Sequence, residues 1–216
     1  MGMRTRPLGR TGLDVSEIGF GGWSIGGKDY GPTYDRESVQ AIHRAVELGV
    51  TFFDTADMYG EGRSERLFGE ALAGMRGRVV IATKGGYDVG RGMVKDFSRA
   101  HLESAVAGSL RRLNVDCIDL YQLHNPSVEQ LRDPELFETV EDFQRRGLIR
   151  HYGVSVSYEA SARLVIERGT AATLQLVHNL LRPALLRVLG GEIRRSGIGL
   201  IARTPLEYGL LSGKYG

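Results

Sequence analysis

Thr51-Phe52-Phe53-Asp54-Thr55-Ala56-Asp57-Met58-Tyr59-Gly60 is a short apolar run that stops at a carboxylate, with a tyrosine in the loop that follows. The pattern recurs twice downstream. Val79-Val80-Ile81-Ala82-Thr83 ends at Lys84, and Cys117 to Leu123 ends at His124. Short apolar runs bounded by polar residues read as buried strands, so three successive strands each deliver one titratable side chain at the carboxyl end. Asp54, Tyr59, Lys84 and His124 suit a proton transfer to a carbonyl oxygen. A phenol is a poor acid near neutrality, and an ammonium beside it stabilises the phenolate and lowers its pKa. Asp54 is the counter-charge a lysine in a cleft needs, and an imidazole can orient or polarise the oxygen that receives the proton.

Working outward, apolar strands alternate with amphipathic helices along the chain. The expected strands cover 16–20, 50–53, 79–82, 117–123, 151–154, 173–177 and 199–202. Between them, helical periodicity covers 36–48, 64–73, 98–113, 133–146, 158–168 and 183–196. The third helix is the clearest, with Leu102, Val106, Leu110 and Leu113 on one face, Ser98 as N-cap and Asn114 at the left-handed end. Gly49, Gly147 and Gly169 close other helices. Such alternation without a linker predicts one α/β domain over 1–216 with a parallel sheet, either doubly wound or a barrel. Polar groups at the carboxyl ends of several strands favour a (β/α)8 TIM-type barrel. A doubly wound sheet would place a Gly-x-Gly-x-x-Gly turn after its first strand. Gly19-Phe20-Gly21-Gly22-Trp23-Ser24-Ile25-Gly26-Gly27 does not have that spacing. Trp23 and the loop Lys28-Asp29-Tyr30-Gly31-Pro32 read instead as a pocket rim. Gly22 to Gly27 before Lys28 has P-loop spacing, but Asp29 stands where a magnesium-binding Ser or Thr is required, and no helix begins there.

The run Asp54-Thr-Ala-Asp-Met-Tyr59-Gly60, with Gly62-Arg63-Ser64-Glu65, Thr83-Lys84 and Leu123-His124, resembles the aldo-keto reductase family in residue type, order and spacing. The opening Leu8-Gly9-Arg10-Thr11-Gly12-Leu13-Asp14-Val15-Ser16, with Ile18-Gly19-Phe20-Gly21, is similar to that family too. The resemblance covers nearly the whole chain and implies hydride transfer between NADP(H) and an aldehyde, ketone or alcohol. It makes Tyr59 the general acid, with Asp54, Lys84 and His124 in support, and Trp23, Tyr59 and His124 the substrate wall. For the cofactor it implies Gly22, Trp23, Asp54, Ser155, Gln175, Arg203, Thr204, Leu206 and Lys214. Ser155 and Gln175 would hold the nicotinamide carboxamide. Two departures stand out: Val156 replaces an Asn common in the family, and Arg203 stands where many members place a stacking aromatic, a role a planar guanidinium can share. A hairpin over 8–15 is expected to cap the amino-terminal end of the barrel. Motif details lie closer to bacterial and plant sugar or aldehyde reductases than to animal aldose reductases.

Barrels of this type take about 250 residues, and the pattern here stops after a seventh strand. The missing eighth strand is read as a fragment, a barrel completed by another chain or a natural remnant, the first being favoured. The same family includes potassium-channel beta subunits, so the alternative function is a non-catalytic or regulatory NADP(H)-binding barrel, or an inactive fragment. Composition is that of an ordinary globular domain: 216 residues, 42% hydrophobic and 25% charged. A net charge of +2 with interleaved signs gives no case for nucleic acid. No apolar run reaches a membrane span or forms a signal core, so a cytoplasmic location and a small-molecule carbonyl substrate are expected, with a homo-oligomer left open. The single Cys117 reads as a buried strand thiol. His43, His101, His124, His151 and His178 show no metal-ligand spacing, and no metal is expected.

Overall fold

The computed structural model describes residues 2–27 and 31–214; the expectations placed on Lys28, Asp29 and Tyr30 lie outside the described residues. Seven parallel strands form one curled sheet in the spatial order β11-β10-β9-β8-β5-β4-β3. They are β3 (Phe20–Gly21), β4 (Phe52–Asp54), β5 (Val80–Gly85), β8 (Ile118–His124), β9 (Ile149–Val156), β10 (Thr173–Val177) and β11 (Gly199–Arg203). Each is followed by helical structure except β11, which runs into a 3-10 turn at Glu207–Ser212. The helices are α1 (Asp35–Glu47), α2 (Arg63–Ala71), α3 (Arg99–Leu113), α4 (Val128–Arg132), α5 (Pro134–Arg145), α6 (Glu159–Arg168) and α7 (Ala184–Ser196). This is the strand-then-helix succession of a β/α barrel with seven of its strands. No described helix is long and apolar enough to cross a membrane.

Side chains alternate across a strand, and that parity splits the core in two. Phe53, Ile81, Tyr121, Leu123, Tyr152, Val154 and Leu174 face outward and pack under the helices against Leu67, Phe68, Leu102, Val106, Val140 and Phe143. Phe52, Ala82 and Leu120 face inward, where they meet Leu8 and Val15 from the amino-terminal ribbon. Burying each large outward side chain is worth about 1.5–3 kcal/mol, so the helices are held chiefly by this outer layer. Val156, the residue that departs from the family pattern, also belongs to the outer layer.

The ribbon is where expectation and structure differ most. Its strands are β1 (Thr5–Pro7) and β2 (Asp14–Ser16), and residues 8–13 form the turn between them. The expected strand over 16–20 does not form as one piece. Ser16 and Thr51 exchange hydrogen bonds, Ser16 N–H to Thr51 Oγ1 at 2.8 Å and Thr51 N–H to Ser16 Oγ at 2.9 Å. These bonds hold Ser16, which pairs with Thr5 in the ribbon, against the residue before β4, and the barrel strand starts only at Phe20. Gly9, at φ 55°, lies so near β11 that a Cβ there would sit 2.2 Å from Gly199 N. Arg10 donates to the carbonyls of Gly169 and Ala171, latching the turn to the loop before β10.

Helix ends follow the chemistry expected of them. Ser98 Oγ accepts from His101 N–H, and Asn114 takes the left-handed conformation at φ 54°. Among the elements with no forecast are α4, opened by a Ser127/Gln130 capping box, and a small ribbon of β6 (Tyr87–Asp88) and β7 (Val94–Lys95) between β5 and α3.

Candidate active site

Two residues beyond the inner apolar plug, the same strands turn polar. Asp54 follows Phe52, Lys84 follows Ala82 and Gln122 follows Leu120, all on the inward parity. Lys84 is fully buried, and its Nζ donates to Asp54 Oδ1 at 2.5 Å, to the Thr55 carbonyl at 2.7 Å and to Tyr59 Oη at 3.4 Å. Three donors meet three acceptors, so the buried ammonium is satisfied in full. Burial alone would lower its pKa, but Asp54 and Tyr59 carry it above the ordinary lysine value.

Asp54 is held from its other side as well. Its Oδ2 accepts from Gln122 Nε2 at 3.0 Å and from Gln175 Nε2 at 2.9 Å. Gln122 was not anticipated, because it sits within the apolar run of β8; its parity with His124 was the available signal. Both glutamines are buried, and the Oε1 of each lacks a partner among the described residues.

Tyr59 lies in an aromatic setting. Trp23 stacks on it with centroids 6.1 Å apart, and His124 meets it edge-on at 5.9 Å. Burial raises the phenol above its ordinary pKa; Lys84 pulls the other way without prevailing. The expectation that the ammonium lowers this pKa thus holds for the pairwise effect and fails for the net, because desolvation is larger. His124 goes well below the usual histidine value through burial, and then through Lys84, Arg203 and Lys95. That direction favours the uncharged imidazole.

The residues forecast for the cofactor divide into two groups. Gly22, Ser155, Gln175 and Arg203 come to the tetrad. Gly22 N–H bonds to the Asp54 carbonyl at 2.7 Å, and its own carbonyl accepts from Ser64 Oγ at 2.8 Å, which leaves no space for a side chain. Ser155 is buried and stands in register between His124 on β8 and Gln175 on β10. Arg203 donates to Ser157 Oγ at 2.9 Å, while its buried Nε has no partner. No ion pair involves Arg203 among the described residues. Thr204 turns the chain at φ 59°, and Asn179 Nδ2 donates to its carbonyl at 3.0 Å. Leu206 and Lys214 are exposed, and no described contact joins them to the tetrad. Their segment reaches the site through Tyr208 instead, which packs edge-on against Trp23 at 5.5 Å.

Behind the tetrad lies a second acidic pair. Glu65 is fully buried, accepting from Thr83 Oγ1 at 2.6 Å and Arg112 Nε at 2.6 Å. Asp57, buried beside it, is pushed up to about 7 by desolvation and then by Glu65. Cys117 is half-buried and its thiol is raised by burial. Asp88, Asp96 and His101 bring ligand-type atoms within 4.8 Å of one another, but Arg91 pairs with both carboxylates.

Comparison with known proteins points one way. The model of the Aldo/keto reductase family matches residues 17–216. An "Uncharacterized oxidoreductase YqkF" of Bacillus subtilis is 35% identical over 98% of this chain and 68% of its own length. The holo form of an aldo-keto reductase, AKR11C1 from Bacillus halodurans, superposes with a TM-score of 0.85 at 34% identity, covering 98% of this chain and 70% of that one. An aldo-keto reductase from Klebsiella pneumoniae in complex with NADPH gives 0.79 at 28% identity, with 99% and 72% covered.

Proposed function

The chain belongs to the aldo/keto reductase family, and we propose that it is an NADP(H)-dependent reductase of aldehyde or ketone carbonyls, with Tyr59 as the proton donor. The observation that carries this reading is the buried Lys84 ammonium, bonded at once to Asp54 and to the Tyr59 phenol.

The residues present fit the cofactor. A nicotinamide carboxamide needs both an acceptor and a donor, and the buried, unpartnered Oε1 of Gln175 beside Ser155 offers the acceptor. Arg203, with a free buried Nε, suits the negative charge and planar ring of a dinucleotide. Gly22, Trp23, Asp54, Thr204, Leu206 and Lys214 complete the proposed contacts. When bound, NADPH supplies the hydride. Tyr59 Oη then gives its proton to the substrate oxygen, and Lys84 stabilises the phenolate that remains. Asp54, fixed by Gln122 and Gln175, keeps Lys84 charged and aimed. Neutral His124 orients the carbonyl oxygen towards the phenol. We place this activity in a single domain over 1–216, acting on a small molecule in the cytoplasm.

The test is to follow cofactor oxidation by the purified chain with NADPH, and separately NADH, on a panel of small aldehydes and sugar ketones. Tyr59→Phe is expected to lower kcat on the order of a hundredfold to ten-thousandfold while NADPH binding stays near parental. Parental turnover in that variant would remove Tyr59 from the role.

A further inference from the structure

The rings at the mouth form one continuous row. Trp23 touches Tyr59, Tyr59 touches His124, and His124 meets the ring of Tyr87 edge-on at 5.2 Å. Tyr87 is not on a barrel strand; it belongs to the ribbon β6–β7, directly across from Lys95. The Lys95 ammonium lies over the Tyr87 ring, 5.9 Å from its centroid. The row that starts at the proton donor therefore ends at a cation.

That cation has no counter-ion in an ion pair among the described residues. The acids of its ribbon are engaged elsewhere: Arg91 pairs with Asp88 and Asp96, and Asp96 also accepts from Ser98 N–H at 3.0 Å. In the groove beside Lys95, Asp133 caps α5 through Glu135 N–H at 3.0 Å, and Glu135 lies 3.8 Å from Arg99. Of the three cations acting on His124, Lys84 is neutralised by Asp54 and Arg203 is turned to Ser157. Lys95, exposed on β7, has neither arrangement, and desolvation lowers its pKa. A row of ring faces and edges, with an ammonium that no ion pair compensates at its far end, is complementary to a ring-bearing molecule with an acid group.

We propose that Lys95 is the anion-holding end of the substrate site, and that the preferred substrates are aromatic carbonyl compounds carrying a carboxylate. The carbonyl oxygen sits at Tyr59 and His124, the ring lies along His124 and Tyr87, and the carboxylate meets Lys95 Nζ. This rests on the reductase reading and narrows its substrate class.

The test compares para-carboxybenzaldehyde with para-tolualdehyde in the parent, Lys95→Met and Lys95→Arg, alongside fluorescence of the single Trp23 titrated with benzoate and with benzamide. In the parent, the ratio of kcat/KM for the acid over the neutral aldehyde is expected to exceed one. Lys95→Met should lower that ratio about tenfold, through KM, and Lys95→Arg should restore most of it. Benzoate affinity should fall in parallel, with benzamide affinity unmoved. An equal loss for both aldehydes, or no loss, overturns the proposal, as does an acid preference that survives Lys95→Met. If neither aldehyde is reduced but benzoate binding depends on Lys95, the anion site stands and the reductase reading falls.

Discussion

The inner face of the sheet is two regions built on the same strands. At the amino-terminal end Phe52, Ala82 and Leu120 meet Leu8 and Val15 in a dry plug. One inward position later Asp54, Lys84 and Gln122 form a hydrogen-bonded polar cluster. A strand puts only a few ångströms between those positions, so the change from packing to chemistry is abrupt. The lower layer is closed by apolar contact and asks only for shape. The upper layer buries a charge and tolerates it only because every donor on Lys84 has an acceptor. On the proposed function, stability and reactivity fall to successive inward residues of one strand, and they are separable by substitution.

The largest effect should come from moving the boundary up. Lys84→Met extends the apolar plug by one layer and leaves Asp54 with two amide donors and no cation. Steady-state turnover is expected to fall at least a hundredfold, with about 3–5 kcal/mol lost from the urea-unfolding free energy; parental turnover would dissolve the distinction between the regions. Next in size is damage confined to the plug. Leu120 is fully buried, and Leu120→Ala should cost about 2–5 kcal/mol in the same unfolding measurement, while kcat per folded molecule stays within the parental order. A collapse of kcat with stability intact would show that the plug positions the site directly.

The smallest effect sharpens the contrast between two acids. Asp54 is paired, whereas Asp57 is buried beside another acid and pushed up to about 7. A carboxyl whose folded pKa exceeds its unfolded one favours the fold while protonated. Its contribution is full below the unfolded value, near 3.8, and is lost as pH rises through about 7. Asp57→Asn should therefore flatten the decline in melting temperature across that window and stabilise the protein at mildly alkaline pH relative to the parent. An unchanged slope would mean that Asp57 is not charged at a cost in the fold.

The later strands, and the meeting of Asp54, Lys84 and His124, were legible because each of these polar residues ends an apolar run at the carboxyl end of a strand. Less legible were contacts that sequence period does not encode. Gln122 is hidden by apolar neighbours that face the helices; only its two-residue offset from His124 betrays it. The break of the first strand depends on Ser16 and Thr51 trading side-chain bonds across the chain. The ribbon carrying Tyr87 and Lys95 lies in a glycine-rich stretch, and Tyr208 reaches Trp23 only because residues 204, 207 and 208 all take positive φ. Net proton affinity at Tyr59 was out of reach for a different reason: it is a balance of burial against Lys84, with Asp54 and Arg203 adding opposite pulls, and only coordinates give them all.

Gly26 and Gly60 touch backbone to backbone, a Cβ on Gly60 falling 2.2 Å from the Gly26 carbonyl oxygen. Arg63 fastens the same crossing, donating to Thr33 Oγ1 at 2.7 Å, the Thr33 carbonyl at 2.8 Å and Asp35 Oδ1 at 2.9 Å. The loop that offers Trp23 and the loop that offers Tyr59 are in effect one riveted joint. A mutagenesis library that varies residues 23–27 will also displace Tyr59, unless residues 60–63 are diversified with them.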